Sequence, residues 1–158
     1  MESRCGRAPM PEMVYEGASV PFSRSSPDPE IVELGPADSA EMIGLTKLTK
    51  PGPFGKRTHE LGTYLGIRRE RKLVAMAGER LKIPGHTEVS AVCTHPDYTG
   101  RGYARILMTE VMRRILDRGE TPFLHVRRDN ERAIQLYQKL GFTTRAVLYT
   151  VGLRRDVA

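Results

Sequence analysis

The stretch Thr99-Gly-Arg-Gly-Tyr-Ala stands between a β-like run and a strongly helical pattern, and its composition suits the capture of an anion. Glycine tolerates positive φ, so Gly100 and Gly102 permit a tight turn and let a ligand approach the main chain. The first turn of the following helix, from about Arg101 to Ala104, presents N–H groups at the positive end of the helix dipole. Such a terminus suits a pyrophosphate. A glycine-rich turn with no ligand is the ordinary alternative, because a short glycine pattern is weakly specific. Two phosphate-binding patterns are excluded. A P-loop needs Lys-Ser or Lys-Thr after its last glycine, and neither follows here. A dinucleotide fingerprint needs Gly or Ala where Arg105 stands.

The elements that must position this turn can be read from periodicity. Ile31–Leu34 reads as a short strand. Asp38 and Ser39 are N-cap candidates for a helix carrying Ala40, Met42, Ile43 and Leu45. Pro51-Gly-Pro-Phe-Gly ends it in a loop. Thr63–Arg68 and Leu73–Leu81 read as a hairpin with a charged tip, and Pro84-Gly85 turns the chain into a third strand, Thr87–Thr94. Strict alternation there puts Val89, Ala91 and Cys93 on one face and Glu88, Ser90, Val92 and Thr94 on the other. After the glycine turn, Ala104, Leu107, Met108, Val111, Met112 and Ile115 follow the helical period, and Gly119 is a C′ candidate. Thr121–Arg127 reads as a strand. Asp129-Asn130 can cap a second helix striped by Ala133, Leu136, Tyr137 and Leu140, and Thr143–Val151 closes the fold. The order implies an α/β (α+β) mixed sheet with helices on both faces and right-handed crossovers.

Composition sets limits. The 158 residues suit one compact domain, with 39% hydrophobic and 28% charged residues. Aromatics are 6% and Trp is absent, so the core rests on aliphatic residues and Met. The longest apolar run, Leu73–Ala77, is too short for a membrane span, which needs about 20 residues, or for a secretory leader. Met1–Glu30, interrupted by Pro9, Pro11, Pro21, Pro27 and Pro29, is expected to be a flexible lead, with the domain spanning 31–158. Within the lead, Met13–Tyr15 could form a short strand. Cys5 and Cys93 form neither a disulfide framework nor a metal cluster, which suits a reduced, cytoplasmic protein. The net charge of +6 favours polyanionic partners, among them nucleic acid, anionic lipid and a phosphate-rich cofactor.

Two signatures carry a resemblance. Thr99-Gly-Arg-Gly-Tyr-Ala resembles the pyrophosphate loop [Q/R]-x-x-G-x-[G/A] of the GNAT superfamily of N-acyltransferases, matching at Gly102 and Ala104 and departing at Thr99, where Gln or Arg is usual. The departure removes a side chain and leaves the backbone N–H groups. Asn130-Glu-Arg-Ala-Ile-Gln-Leu-Tyr-Gln-Lys-Leu-Gly-Phe resembles the second signature, N-x-x-A-x-x-L-Y-x-K-x-G-F, at every fixed place. The resemblance covers about Ile31 to the C-terminus. It implies a GNAT-like sheet, mostly antiparallel, with one parallel pair splayed at the centre. Only 16 residues follow Phe142, so the family's terminal hairpin is expected to be abbreviated.

The resemblance implies an acetyl-CoA-dependent N-acetyltransferase without a metal. Val92, Cys93 and Thr94 would lie beside the pantetheine arm, with a main-chain N–H near Val92 polarising the thioester carbonyl. Thr99, Gly100, Arg101, Gly102, Tyr103 and Ala104 would hold the pyrophosphate, and Asn130 would touch the arm or simply cap its helix. Tyr137 would protonate the departing thiolate, although its place on an apolar stripe equally suits core packing. Glu88 would act as general base or hold a cationic acceptor, unless it is an ordinary ion-paired strand residue. His125 and Glu79 are further candidates for the base. Arg101, Arg105, Arg128, Arg132 and Lys139 would attract the anionic coenzyme. The implied partner is a small-molecule or peptide amine, with a homodimer possible and no membrane. Two rival readings stand beside this one. One is a non-catalytic CoA-binding module. The other is a basic nucleic-acid-binding protein, disfavoured because no recognition motif accompanies the scattered charge.

Overall fold

A computed structural model describes residues 7–21 and 29–151. Cys5 and the serines at 23, 25 and 26 lie outside the described residues. Seven strands form a single sheet: β1 (Arg7–Val14), β2 (Ile31–Leu34), β3 (Tyr64–Arg69), β4 (Lys72–Ile83), β5 (His86–Thr94), β6 (Thr121–His125) and β7 (Thr143–Val151). Their spatial order is β2-β3-β4-β5-β6-β1-β7. Among the described strands every neighbouring pair is antiparallel except β5 and β6. Three helices complete the fold: α1 (Ser39–Thr49), α2 (Tyr103–Asp117) and α3 (Glu131–Lys139).

The helices lie on both faces, as the apolar stripes require. α1 buries Met42 and Leu45 with Leu34, Tyr64, Leu73, Met76, Ala91 and Cys93. On the opposite face α2 buries Leu107, Met108, Val111, Met112 and Ile115, joined by Tyr137 and Leu140 at α3. Each fully buried aliphatic side chain contributes roughly 1.5–3 kcal/mol. The β3–β4 hairpin turns through Glu70 and Arg71, both at positive φ (49° and 66°). Asp38 and Glu41 at the start of α1 both pair with Arg68, tying that helix to the hairpin.

The first strand corrects the expectation that Met1–Glu30 lies outside the domain. β1 sits between β6 and β7 and pairs with both. Its prolines are compatible with this because they alternate. The carbonyls of Pro9 and Pro11 accept from Arg128 and Val126, so both residues face the β6 side. Their missing donors therefore fall on one edge. Ala8, Met10 and Glu12 keep their own polar groups for β7. Met13 and Tyr15 are buried in the core beside Phe142. β1 also fills the place beside β7.

The second correction concerns β5. Ala91 has φ 53°, and the register against β4 slips between Met76 and Gly78. This β-bulge reverses the alternation. Val89 and Val92 pack on the α2 side, whereas Ala91 and Cys93 face α1. Strict alternation had grouped Val89 with Ala91 and Cys93. A bulge bends and twists its strand. Here β5 and β6 pair only over His86–Glu88 and Thr121–Phe123, and no pairing follows.

Met13→Ala tests whether β1 belongs to the folded unit. Met13 is 0% exposed, so the substitution is expected to cost about 2–5 kcal/mol in urea unfolding. A change under about 0.5 kcal/mol, the range of surface substitutions, would place β1 outside the cooperative domain.

Candidate active site

The parting of β5 from β6 opens a cleft of about 460 Å³. Val92, Cys93 and Thr94 form the β5 wall, and Asn130, Arg132, Ala133, Leu136 and Tyr137 of the α3 region face them. Thr99, Gly100, Gly102, Tyr103, Ala104 and Arg105 close one end. Thr49, Lys50 and Pro51, at the end of α1, together with Tyr98, also line the cleft. No motif marks these positions, and α1 reaches the cleft only through its packing on β4 and β5.

The glycine turn takes the expected form. Gly100 and Gly102 have φ of 79° and 77°, and a Cβ on either would meet nothing within 4 Å. Open space therefore lies above the main chain, as a bound diphosphate requires. Gly102 is the N-cap of α2, and no side chain caps that end. Its carbonyl accepts the first helical bond, from Ile106. The N–H groups of Tyr103 and Ala104 precede that bond and have no intrahelical acceptor. Tyr103 itself is anchored, with its hydroxyl accepting from Arg69 Nε at 3.1 Å and its ring 5.2 Å beneath that guanidinium. Thr99 turns its hydroxyl to the Pro96 carbonyl at 3.1 Å. Arg101 does not line the cleft; its guanidinium lies 4.9 Å over the Tyr98 ring.

Asn130 caps α3, its side-chain oxygen accepting from the Ala133 N–H at 3.2 Å. This fixes the register that aims Tyr137 into the cleft about two turns later. Tyr137 is buried, edge-on to Phe142 with ring centroids 6.2 Å apart. Burial pushes its phenol up to about 12. Cys93 is likewise pushed up to about 11 by burial, partly offset by a hydrogen bond with Thr49, and so remains a thiol.

Glu88 is placed differently from these. It does not line the cleft and is 1% exposed. Arg80 grips both carboxylate oxygens at 2.9 and 2.8 Å, and His125 Nδ1 lies 2.7 Å from Oε1. Burial alone would raise its pKa, but the hydrogen bonds from His125 and Arg80 outweigh it and hold Glu88 below the usual carboxylate range. Glu79, also buried, pairs with Arg118 at 3.1 Å and Lys82 at 3.2 Å. Among the described residues no group of three or more His, Cys, Asp or Glu side chains is arranged to hold a metal. No described helix is long and apolar enough to cross a membrane.

Among the described strands, a mixed sheet parted at its one parallel pair, with an uncapped helix N-terminus at the gap, has the architecture of the GNAT fold. Comparison with known proteins agrees: residues 64–151 match the FR47-like protein family, and the chain belongs to it. N-alpha-acetyltransferase RimI of Mycobacterium tuberculosis is 39% identical over 95 residues, 58% of this chain and 55% of that protein. A GNAT-family acetyltransferase from Novosphingobium aromaticivorans superposes with a TM-score of 0.83 at 41% identity, covering 92% of this chain and 64% of that one. The ribosomal-protein-S18-alanine N-acetyltransferase of Escherichia coli shares the fold, with a TM-score of 0.64 at 24% identity over 72% of this chain and 77% of that one. The chain thus spans little more than half the length of its M. tuberculosis relative.

Gly102→Ala isolates the backbone term. No atom obstructs the new methyl group, so the expected cost is the left-handed strain alone, about 1–2 kcal/mol in chemical denaturation. An unchanged midpoint would mean that the turn adopts another conformation in solution.

Proposed function

We propose that the protein transfers an acetyl group from acetyl-CoA to a primary amine by direct attack in a ternary complex. The observation that carries this reading is the cleft itself, with main-chain amides at one end and a protonated phenol opposite the β5 edge. Acetyl-CoA supplies an acyl group already activated as a thioester. The chain supplies binding, orientation and proton transfer.

The turn through Gly100 and Gly102 and the amides of Tyr103 and Ala104 hold the diphosphate. Lys50 and Arg132, both lining the cleft, add positive charge. Val92–Thr94 offer the unpaired edge of β5, which the extended arm joins as an added strand. An N–H there, of Val92 or a neighbour, polarises the thioester carbonyl. Among the described residues the Tyr137 hydroxyl has no hydrogen-bond partner, and its side chain lines the cleft. With a pKa of about 12 the phenol keeps its proton at neutral pH and can donate it to the departing thiolate. Glu88 places a fixed negative charge where the strands part. Arg80 compensates that charge and Glu88 does not line the cleft, so this carboxylate does not itself hold the acceptor. Because the M. tuberculosis relative is named an N-alpha-acetyltransferase, a peptide N-terminus is the first acceptor to test.

Tyr137→Phe is expected to lower kcat about 10²-fold or more in a thiol-release assay, with the acetyl-CoA Kd from calorimetry nearly unchanged. Equal turnover would remove Tyr137 from the reaction. Saturable acetyl-CoA binding with no thiol release across peptide and small amines would overturn the transfer reading in favour of a binding module.

A further inference from the structure

We infer that the outer edge of β7 pairs with the same edge of a second copy of this chain, giving a two-fold antiparallel dimer in which Tyr149 faces Tyr149 of the second copy. The two borders of the described sheet differ sharply. β2, at one border, has four residues, and its Glu33 meets Arg114 at 3.1 Å. Short, charged edges of this kind discourage pairing with other chains. β7, at the other border, has nine residues and bonds to β1 alone among the described strands. It contains no proline or glycine and a single charge, Arg145, which Glu12 holds at 3.1 Å. Val147, Leu148, Tyr149 and Val151 are all exposed, Tyr149 by 64%. An uncharged run of high β-propensity on an open edge is a template for association.

The ladder with β1 shows which main-chain groups are free. Ala8, Met10 and Glu12 direct theirs to Thr150, Leu148 and Ala146. Successive residues of an antiparallel strand point their N–H and C=O groups to opposite sides. Those of Val147, Tyr149 and Val151 therefore point outward, and the three are spaced symmetrically about Tyr149. In an antiparallel pair of β7 strands one register alone matches all three with each other. It sets Tyr149 opposite Tyr149, and Val147 opposite Val151 on either side. Each residue then exchanges both hydrogen bonds with the one facing it. The three side chains share a sheet face with Pro9 and Pro11, which stand opposite Tyr149 and Val147 in the β1 ladder. Pairing therefore extends an apolar patch across the two-fold axis.

Charge selects the occupant. Antiparallel pairing sets the two Arg145 side chains at opposite ends, about 27 Å apart along the strands, whereas a parallel pair would set them side by side. Behind Gly152 the chain's own terminus brings Arg154, Arg155 and Asp156, which match an uncharged edge less well than a second β7 does. No β7 residue lines the cleft, so the pairing stands apart from acetyl transfer. One strand edge with its side chains lies at the small end of specific interfaces. A Kd on the order of micromolar is expected.

Sedimentation of the full chain tests this without any substrate. A dimer at about 100 μM that dissociates on dilution is expected. Tyr149→Lys sets two ammonium groups against each other at the two-fold axis and should weaken the dimer about 10²-fold or more. Its urea midpoint at low concentration should be unchanged, because the side chain is exposed. Tyr149→Glu alone should act the same way, yet an equimolar mixture of the Lys and Glu chains should pair again. If the Tyr149 variants do not fold, Val147→Lys mixed with Val151→Glu reads the same register through the ion pair it creates. A wild-type chain that stays monomeric at the highest concentration, a dimer that survives Tyr149→Lys, or a charge-swapped mixture that fails to pair overturns the inference. Each of these outcomes leaves acetyl transfer intact.

Discussion

Two parallel strands that stop bonding to each other govern this molecule. β5 and β6 share only three residue pairs, and the bulge at Ala91 turns β5 aside just beyond them. A sheet interior ordinarily satisfies every main-chain polar group. Here a stretch of β5 is left with a bare edge in the middle of the sheet. That edge, the α2 terminus and Tyr137 meet around one gap because the two strands bordering it lead directly into the helices that carry them. The turn after β5 starts α2, and the turn after β6 starts α3.

Much of this was legible from residue types. The stripe on α2 follows from its period: Leu107, Met108, Val111, Met112 and Ile115 are buried as the pattern names them, joined by Tyr103 and Thr109, while Ala104 is only half-buried. The cap at Asn130 and the terminating Gly141, at φ 97°, follow from local chemistry. So does the left-handed turn at Gly100 and Gly102. Three features were not legible, each for a physical reason. Pro9 and Pro11 suggest a broken strand until the neighbours are known, because only then is it clear which edge lacks donors. Alanine has no intrinsic preference for positive φ, so nothing at Ala91 announces the bulge. The row of polar contacts from Arg80 through Glu88, His125 and Glu12 to Arg145 joins residues from five strands, and its members acquire meaning only through sheet order.

Electrostatics divides the molecule in a similar way. Most arginines of the helical surfaces are matched locally, as Arg113 and Arg114 are by Glu110. Pairs whose arginines reach solvent in this way contribute modestly to stability. The buried carboxylates differ. Glu79 and Glu88 are each 1% exposed and rely on specific cations. Removing one partner would strand a charge in a poorly solvated place, a far larger penalty. The net positive charge therefore hides two sites where negative charge is deliberately retained beneath the surface.

The position of β1 bears on how the chain assembles. Its hydrogen-bonding neighbours, β6 and β7, lie more than a hundred residues later. During synthesis the earliest strand must wait, solvated, while nearly all the rest emerges. Its alternating prolines suit that interval, since they deny one flank the donors needed for premature self-association. Long-range closure of this kind slows the final step. The gap between β5 and β6 is therefore framed on one side by the hairpin and α2, which can organise early, and on the other by a seam zipped last.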